Sequence, residues 1–361
     1  MSTPFEPLAF ERGPTMKNRF MLAPLTNLQS HSNGMLSDEE FNWLTMRARG
    51  GFGLVMTCAA HVQAQGQGFP GQLGVFSDIH LAGLSRLAAE IRRHGSLAFA
   101  QLHHAGMRSP PDLIGARPVC PSDDPKTGAR ALSGAEVEQL AADFVAAALR
   151  AQQAGFDGVE VHGAHGYVIA QFLSAAINRR EDDYCGSIDN RCRLLFEILR
   201  GIRAACRADF LVGVRLSPER FGLDLGEMVE VARLLLGSGL IDLLDMSLWD
   251  VFKEPEDEHY KGASLMSRFT ALERSKVRLS VAGKIHGAGN VEQVLSAGAD
   301  IVTIGRAAIL HHDFPRRCLD DPGFESMQLP VTADYLHAEG LSDKFIGYMK
   351  SWQGFVAEPS N

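Results

Sequence analysis

Hydrophobic residues gather in eight short, β-rich runs: Phe20–Ala23, Gly53–Thr57, Leu97–Gln101, Gly158–His162, Leu211–Arg215, Ile241–Met246, Leu279–Ala282 and Ile301–Gly305. Between most of them the apolar residues take helical spacing, at Asp38–Arg49, His80–His94, Glu136–Ala154, Arg191–Cys206, Gly226–Gly237 and Val291–Ala297. Short buried runs that alternate with amphipathic helices imply parallel strands joined by helical crossovers. Eight such units in about 300 residues predict an α/β protein, a closed (β/α)8 barrel. Ser37, with Glu39 and Glu40 close behind it, is a natural N-cap for the first helix. An open doubly wound sheet is the competing architecture. It calls for a G-x-G-x-x-G turn after the first strand, whereas Gly50, Gly51 and Gly53 precede a strand.

Two connections are long. Gln101 and Glu136 bracket a Pro/Gly-rich segment that reads as a structureless active-site loop, and Leu248–Ser267 follows the sixth strand. The domain expectation is a barrel over residues 1–330. A helical tail over 331–361 (Thr332–Glu339, Asp343–Gln353) would pack on the barrel or on a neighbouring subunit of a homo-oligomer.

Composition narrows the function. With 35 basic and 43 acidic residues the net charge is -8, which disfavours nucleic acid and anionic membranes as partners. No apolar run is long enough to cross a bilayer, and the first residues, with Glu6, Glu11 and two prolines, do not read as a signal peptide. Six scattered cysteines without a C-x-x-C pair fit a reduced, cytoplasmic protein and offer no cysteine metal site.

Barrel chemistry sits at the carboxyl ends of the strands. There the chain places Pro24-Leu25-Thr26, Cys58-Ala59, Gln101 with His103 and His104, and His162 through Tyr167. Arg215 with Ser217, Met246-Ser247, Gly283-Lys284 and Gly305-Arg306 follow. Polar or glycine residues at nearly every strand end indicate an enzyme or a tight ligand binder. Glycines followed by Lys284 and Arg306 after the last two strands suit a phosphate, or merely turn the chain. His162 and His165 read as donors to a substrate oxygen, as metal ligands or as structural residues; Tyr167 reads as catalysis or packing. Arg215 needs an anionic or carbonyl partner, because an unpaired buried charge costs several kcal/mol.

The run Ala154–Tyr167, continuing through Gln171-Phe172-Leu173 and Asn178-Arg179, resembles the signature of the Old Yellow Enzyme family. Lys17-Asn18-Arg19, Ala23–Thr26, Gln101 with His104-Ala105-Gly106, Gly213–Ser217 and Ile304-Gly305-Arg306 are similar as well, and the likeness runs collinearly over residues 5–320. Cys185 stands where the family motif has glycine. The resemblance implies a barrel holding FMN tightly, without a covalent link. NADH or NADPH reduces it, and hydride passes from N5 to the β-carbon of an activated alkene such as an unsaturated carbonyl or nitroalkene. It also implies that Gln101 and Arg215 hold the pyrimidine edge, and that Pro24, Leu25, Thr26 and Ala59 line the ring. Gly283, Gly305 and Arg306 would bind the phosphate, His162 and His165 the substrate oxygen, and Tyr167 would protonate the α-carbon, with no metal. Trp249 and Phe69, with Phe252 and His61, are candidates for the substrate wall. Two other functions remain open: a non-catalytic flavin or ligand store, and an FMN barrel that reduces tRNA uridine.

Overall fold

The computed structural model describes residues 3–358; Met1, Ser2 and residues 359–361 lie outside the described residues. Eight parallel strands close a barrel in chain order: β1 (Phe20–Leu22), β2 (Leu54–His61), β3 (Leu97–His103), β4 (Gly158–Gly163), β5 (Leu211–Leu216), β6 (Leu243–Ser247), β7 (Arg278–Ala282) and β8 (Ile301–Ile304). The helices α1 (Asp38–Arg49), α2 (Leu81–Arg93), α3 (Gly134–Gln153), α4 (Ile188–Ala205), α5 (Leu225–Gly237) and α6 (Ala288–Ser296) fall where the helical spacing predicts. Ser37 caps α1 by accepting from the Glu40 amide.

Strand alternation divides the interior in two. Met21, Leu54, Met56, Leu97, Phe99, Leu211, Leu243 and Ile301 form a separate cluster with Leu8, Phe10 and Met16. Leu8 and Met16 pair in an antiparallel bridge, so the N-terminal segment plugs one end of the barrel with apolar side chains. Residues of the opposite parity, such as Val55, Val212, Leu244 and Val302, belong to the larger core shared with the helices.

Three expectations need correction. The connection after β3 is structured: it holds a short helix, Pro111–Ile114, and a two-stranded parallel ribbon, Val119–Cys120 against Arg130–Ala131. The ribbon satisfies backbone groups that a bare loop would leave to water. β2 and β3 run on to His61 and His103, with a register shift in β2 between Met56 and Ala59. The sixth strand starts at Leu243, because Asp242 turns its carboxylate to Arg12 and Arg203 at the strand's foot.

The tail docks on its own barrel. Its helices, Ala333–Ala338 and Asp343–Lys350, bury Leu336, Phe345, Ile346 and Met349. Phe345 meets Trp43 of α1 edge-on at 5.4 Å between ring centres. Arg47, fully buried, donates to the carbonyls of Ala308 (3.1 Å) and Glu339 (2.8 Å) and so ties α1, the residues after β8 and the tail together. Phe345→Ala empties a closed site and is expected to lower unfolding free energy by about 3–5 kcal/mol. Urea unfolding checks this; a loss below about 1 kcal/mol would mean the tail contributes little to the common core.

Candidate active site

Register builds the floor of the site. Ala59 pairs with Gln101 and Gln101 with Glu160, while His162 pairs with Arg215, and Arg215 with Asp245. All but Ala59 are buried polar residues. The Arg215 Nε lies 3.1 Å from Asp245 Oδ2, and its Nη2 reaches Ser247 Oγ at 3.4 Å. Thr303 donates to the second oxygen of Asp245 at 3.1 Å. Gln101 donates to Glu160 Oε1 at 2.7 Å, and Glu160 Oε2 is buried without a partner. Burial, reinforced by the neighbouring Asp245, pushes the Glu160 carboxyl well above the usual carboxylate range.

Above this layer β4 delivers the histidines. His165 Nδ1 faces His162 Nε2 at 3.4 Å, and His165 Nε2 meets Ser247 Oγ at 2.8 Å. The His162 Nδ1 is buried and unpartnered. Burial holds His162 well below the imidazole range and His165 down at about 3, with nearby cationic groups adding to both shifts. His165 sits at φ 58°, a left-handed turn that swings the loop back over the barrel mouth. The Tyr167 ring centre is 5.3 Å from that of His162 and 4.3 Å from that of His103. Burial raises the Tyr167 phenol, so it is neutral near pH 7.

The loop after β1 is held from below. The buried Glu40 accepts from Asn27 Nδ2 at 3.0 Å and from the Ser30 hydroxyl. This fixes Pro24, Leu25 and Thr26, which line a cavity of two adjoining lobes. The larger, about 360 Å3, is bounded by Thr26, Arg108, His165, Tyr167, Phe221, Trp249 and the tail residues Tyr348, Met349 and Trp352. The other, about 290 Å3, runs past Arg215 and Ser247 to Gly283, Lys284, His286, Gly305 and Arg306. Pro24, Leu25, His165, Trp249 and Trp352 border both.

Most of the sequence-predicted site residues therefore meet. Gln101 and His162 lie in the floor; Ala59 is on β2, its carbonyl accepting from Gln72 at 2.8 Å, and outside the walls of both lobes. Phe69 also lies outside them, its carbonyl accepting from Gln67, and the His61 ring is tied to the Gln63 carbonyl. Sequence reading passed over Arg108, Phe221, Tyr348, Met349 and Trp352. Only Arg108 carried a signal, a guanidinium four residues past His104 in the long connection.

The cavity suits a molecule with an anion at one end and a flat ring at the other. Lys284 pairs with Asp250 at 2.9 Å, but Arg306 has no carboxylate partner among the described residues and touches only the Trp352 ring, at 5.6 Å. An unmatched guanidinium at a cavity end fits a phosphate, and His165 and Tyr167 in the wall of the other lobe fit an oxygen. The residues present thus fit FMN.

The model of the NADH:flavin oxidoreductase / NADH oxidase family matches residues 4–321. The probable NADH-dependent flavin oxidoreductase YqiG of Bacillus subtilis (strain 168) is 36% identical over 316 residues, 85% of each chain. The NADH:fumarate oxidoreductase of Klebsiella pneumoniae (strain 342) is 33% identical over 328 residues, but the chain spans only 35% of that protein. The solved structure of the old yellow enzyme homologue from Zymomonas mobilis superposes with a TM-score of 0.81 at 28% identity, over 95% of this chain and 99% of the other. With the strand-end groups in place and the family matched over nearly the whole barrel, the chain belongs to the Old Yellow Enzyme family of FMN-containing, nicotinamide-dependent oxidoreductases.

Proposed function

We propose that the protein is an ene-reductase acting on α,β-unsaturated carbonyl compounds and nitroalkenes. The observation that carries this reading is the cluster of His162, His165 and Tyr167: His165 and Tyr167 line the larger lobe, and His162 packs against both rings beside a cavity that fits FMN. Bound FMN supplies hydride transfer, drawn from NADH or NADPH and delivered to an alkene carbon. Pro24, Leu25, Thr26 and Ala59 would border its ring, Gln101 and Arg215 the pyrimidine edge, and Gly283, Gly305 and Arg306 the phosphate.

The two histidines polarise the substrate. Their mutual contact at 3.4 Å is at the long limit of a hydrogen bond. A carbonyl or nitro oxygen taking a donor from each gains more than that contact holds, since donors in a desolvated site meet charge as it develops. Both rings stay neutral, so the polarisation is by hydrogen bonding rather than by a cation. Tyr167 keeps its proton until the α-carbon becomes basic and then donates it. Trp249 shapes the substrate end of the lobe.

Arg306→Ala is expected to weaken FMN about 10- to 150-fold, read by fluorescence titration, because a charge-assisted contact is worth about 1.5–3 kcal/mol. An unchanged affinity would move the phosphate elsewhere. Tyr167→Phe should slow flavin reoxidation by cyclohexenone about 10²- to 10⁴-fold and leave reduction by nicotinamide nearly unchanged. Stopped-flow of the two half-reactions decides it; equal slowing of both would make Tyr167 a packing residue. Because burial keeps His162 and His165 neutral, reoxidation by an enone should show no imidazole inflection from about pH 5.5 to 7.5. A step near pH 6.5 would mean one of them titrates.

A further inference from the structure

Arg108 is a cation in an otherwise uncharged chamber. It stands on the connection after β3, exposed at the mouth, and lines the larger lobe with Thr26, Tyr167, Trp249 and Trp352. Its Cζ lies 4.8 Å from the centre of the Tyr167 ring, and Nη1 donates to the His165 carbonyl. No ion pair or second hydrogen bond engages it among the described residues, and no acidic side chain lines this lobe. Of the other cations near the cavity, Arg220 pairs with Glu256 and Lys284 with Asp250, while Arg306 stands at the phosphate end of the second lobe. A guanidinium has five N–H donors in a fixed fork that matches a carboxylate edge. One contact to a carbonyl holds the fork in place and leaves donors facing the chamber.

We infer that the larger lobe takes an activated alkene bearing a carboxylate, and that Arg108 binds this group while the histidine pair holds the activating oxygen. The inference rests on the ene-reductase reading. The spacing supports it, since Arg108 Cζ is 4.8 Å from the Tyr167 ring and that ring 5.3 Å from His162, within the span of one small molecule. The surrounding Phe221, Ile309, Tyr348, Met349 and Trp352 offer apolar surface to the carbon skeleton. Arg108 also lies on the Tyr167 face, so a bound carboxylate places the alkene beside the phenol that protonates it.

The test compares (E)-4-oxo-2-pentenoate with its methyl ester as substrates of the holoenzyme. The wild type should favour the acid in kcat/KM by about ten-fold or more at low salt, less so as salt rises. Arg108→Met should bring the acid-to-ester ratio to about one, and Arg108→Lys should restore part of it. A wild-type ratio near one, or a ratio that Arg108→Met leaves intact, overturns the inference and spares the ene-reductase reading. Equal losses on acid and ester would make Arg108 a positioning residue for Tyr167 and also overturn it. Equilibrium binding of 4-hydroxybenzoate against 4-hydroxybenzamide, followed in the flavin visible spectrum, decides the case in which neither alkene is reduced. Failure of turnover then falls on the ene-reductase reading alone. Tighter benzoate binding that Arg108→Met abolishes still supports the carboxylate site, and equal binding overturns it.

Discussion

Arg215 is a guanidinium inside a barrel, and the rest of the site is arranged around keeping it there. A buried charge without a partner costs several kcal/mol, so the strand beside it must bring an anion to the same level. Asp245 is that anion, one register position away, and Thr303 holds its other oxygen. Ser247, one step further along the same strand face, then joins Arg215 to His165. A second carboxyl, Glu160, shares the layer. Two ionised carboxylates against one guanidinium would leave net negative charge where a bound flavin would take up electrons. Burial and Asp245 both favour the protonated form of Glu160, so the floor is close to electrically neutral.

Neutrality extends upward. The histidines, the phenol and the apolar lobe form a chamber in which uncharged donors act at short range. A protonated histidine there would compete with Arg215 and Arg108 for the same space, and the direction of the shifts on His162 and His165 expresses that repulsion as well as burial. Above the Arg215 floor, formal charge enters the chamber at its edges, through Arg108 at the mouth and through Lys284 and Arg306 at the far end.

Much of this was legible in the chain. Short apolar runs located all eight strands because parallel barrel strands are buried on both faces and read as continuous apolar runs. The polar residues interrupting those runs, Gln101, His162 and Arg215, were conspicuous for the same reason. Glu160 and Asp245 were equally anomalous in apolar strands, but only register tells which carboxyl meets which guanidinium. The bulge that carries β2 on to His61 breaks the alternation and moved its apparent end four residues early. The far wall was unreadable. Tyr348 and Met349 sit on a helix whose spacing announces burial, with Trp352 just past its end, and nothing local distinguishes burial against the barrel from exposure to a cavity.

That wall also divides the molecule along its sequence. The strand-end groups lie within the stretch matched by the family model, residues 4–321, whereas the tail side of the chamber comes from residues beyond it. The chamber is therefore assembled from two segments: Thr26, Arg108, Phe221 and Trp249 lie within the matched stretch, and Tyr348, Met349 and Trp352 beyond it. A change at Tyr348, Met349 or Trp352 reshapes that wall while the strand-end groups keep their place. The stretch from Asp343 to Trp352 is accordingly the shortest piece of chain in which to seek new selectivity without retuning the chemistry.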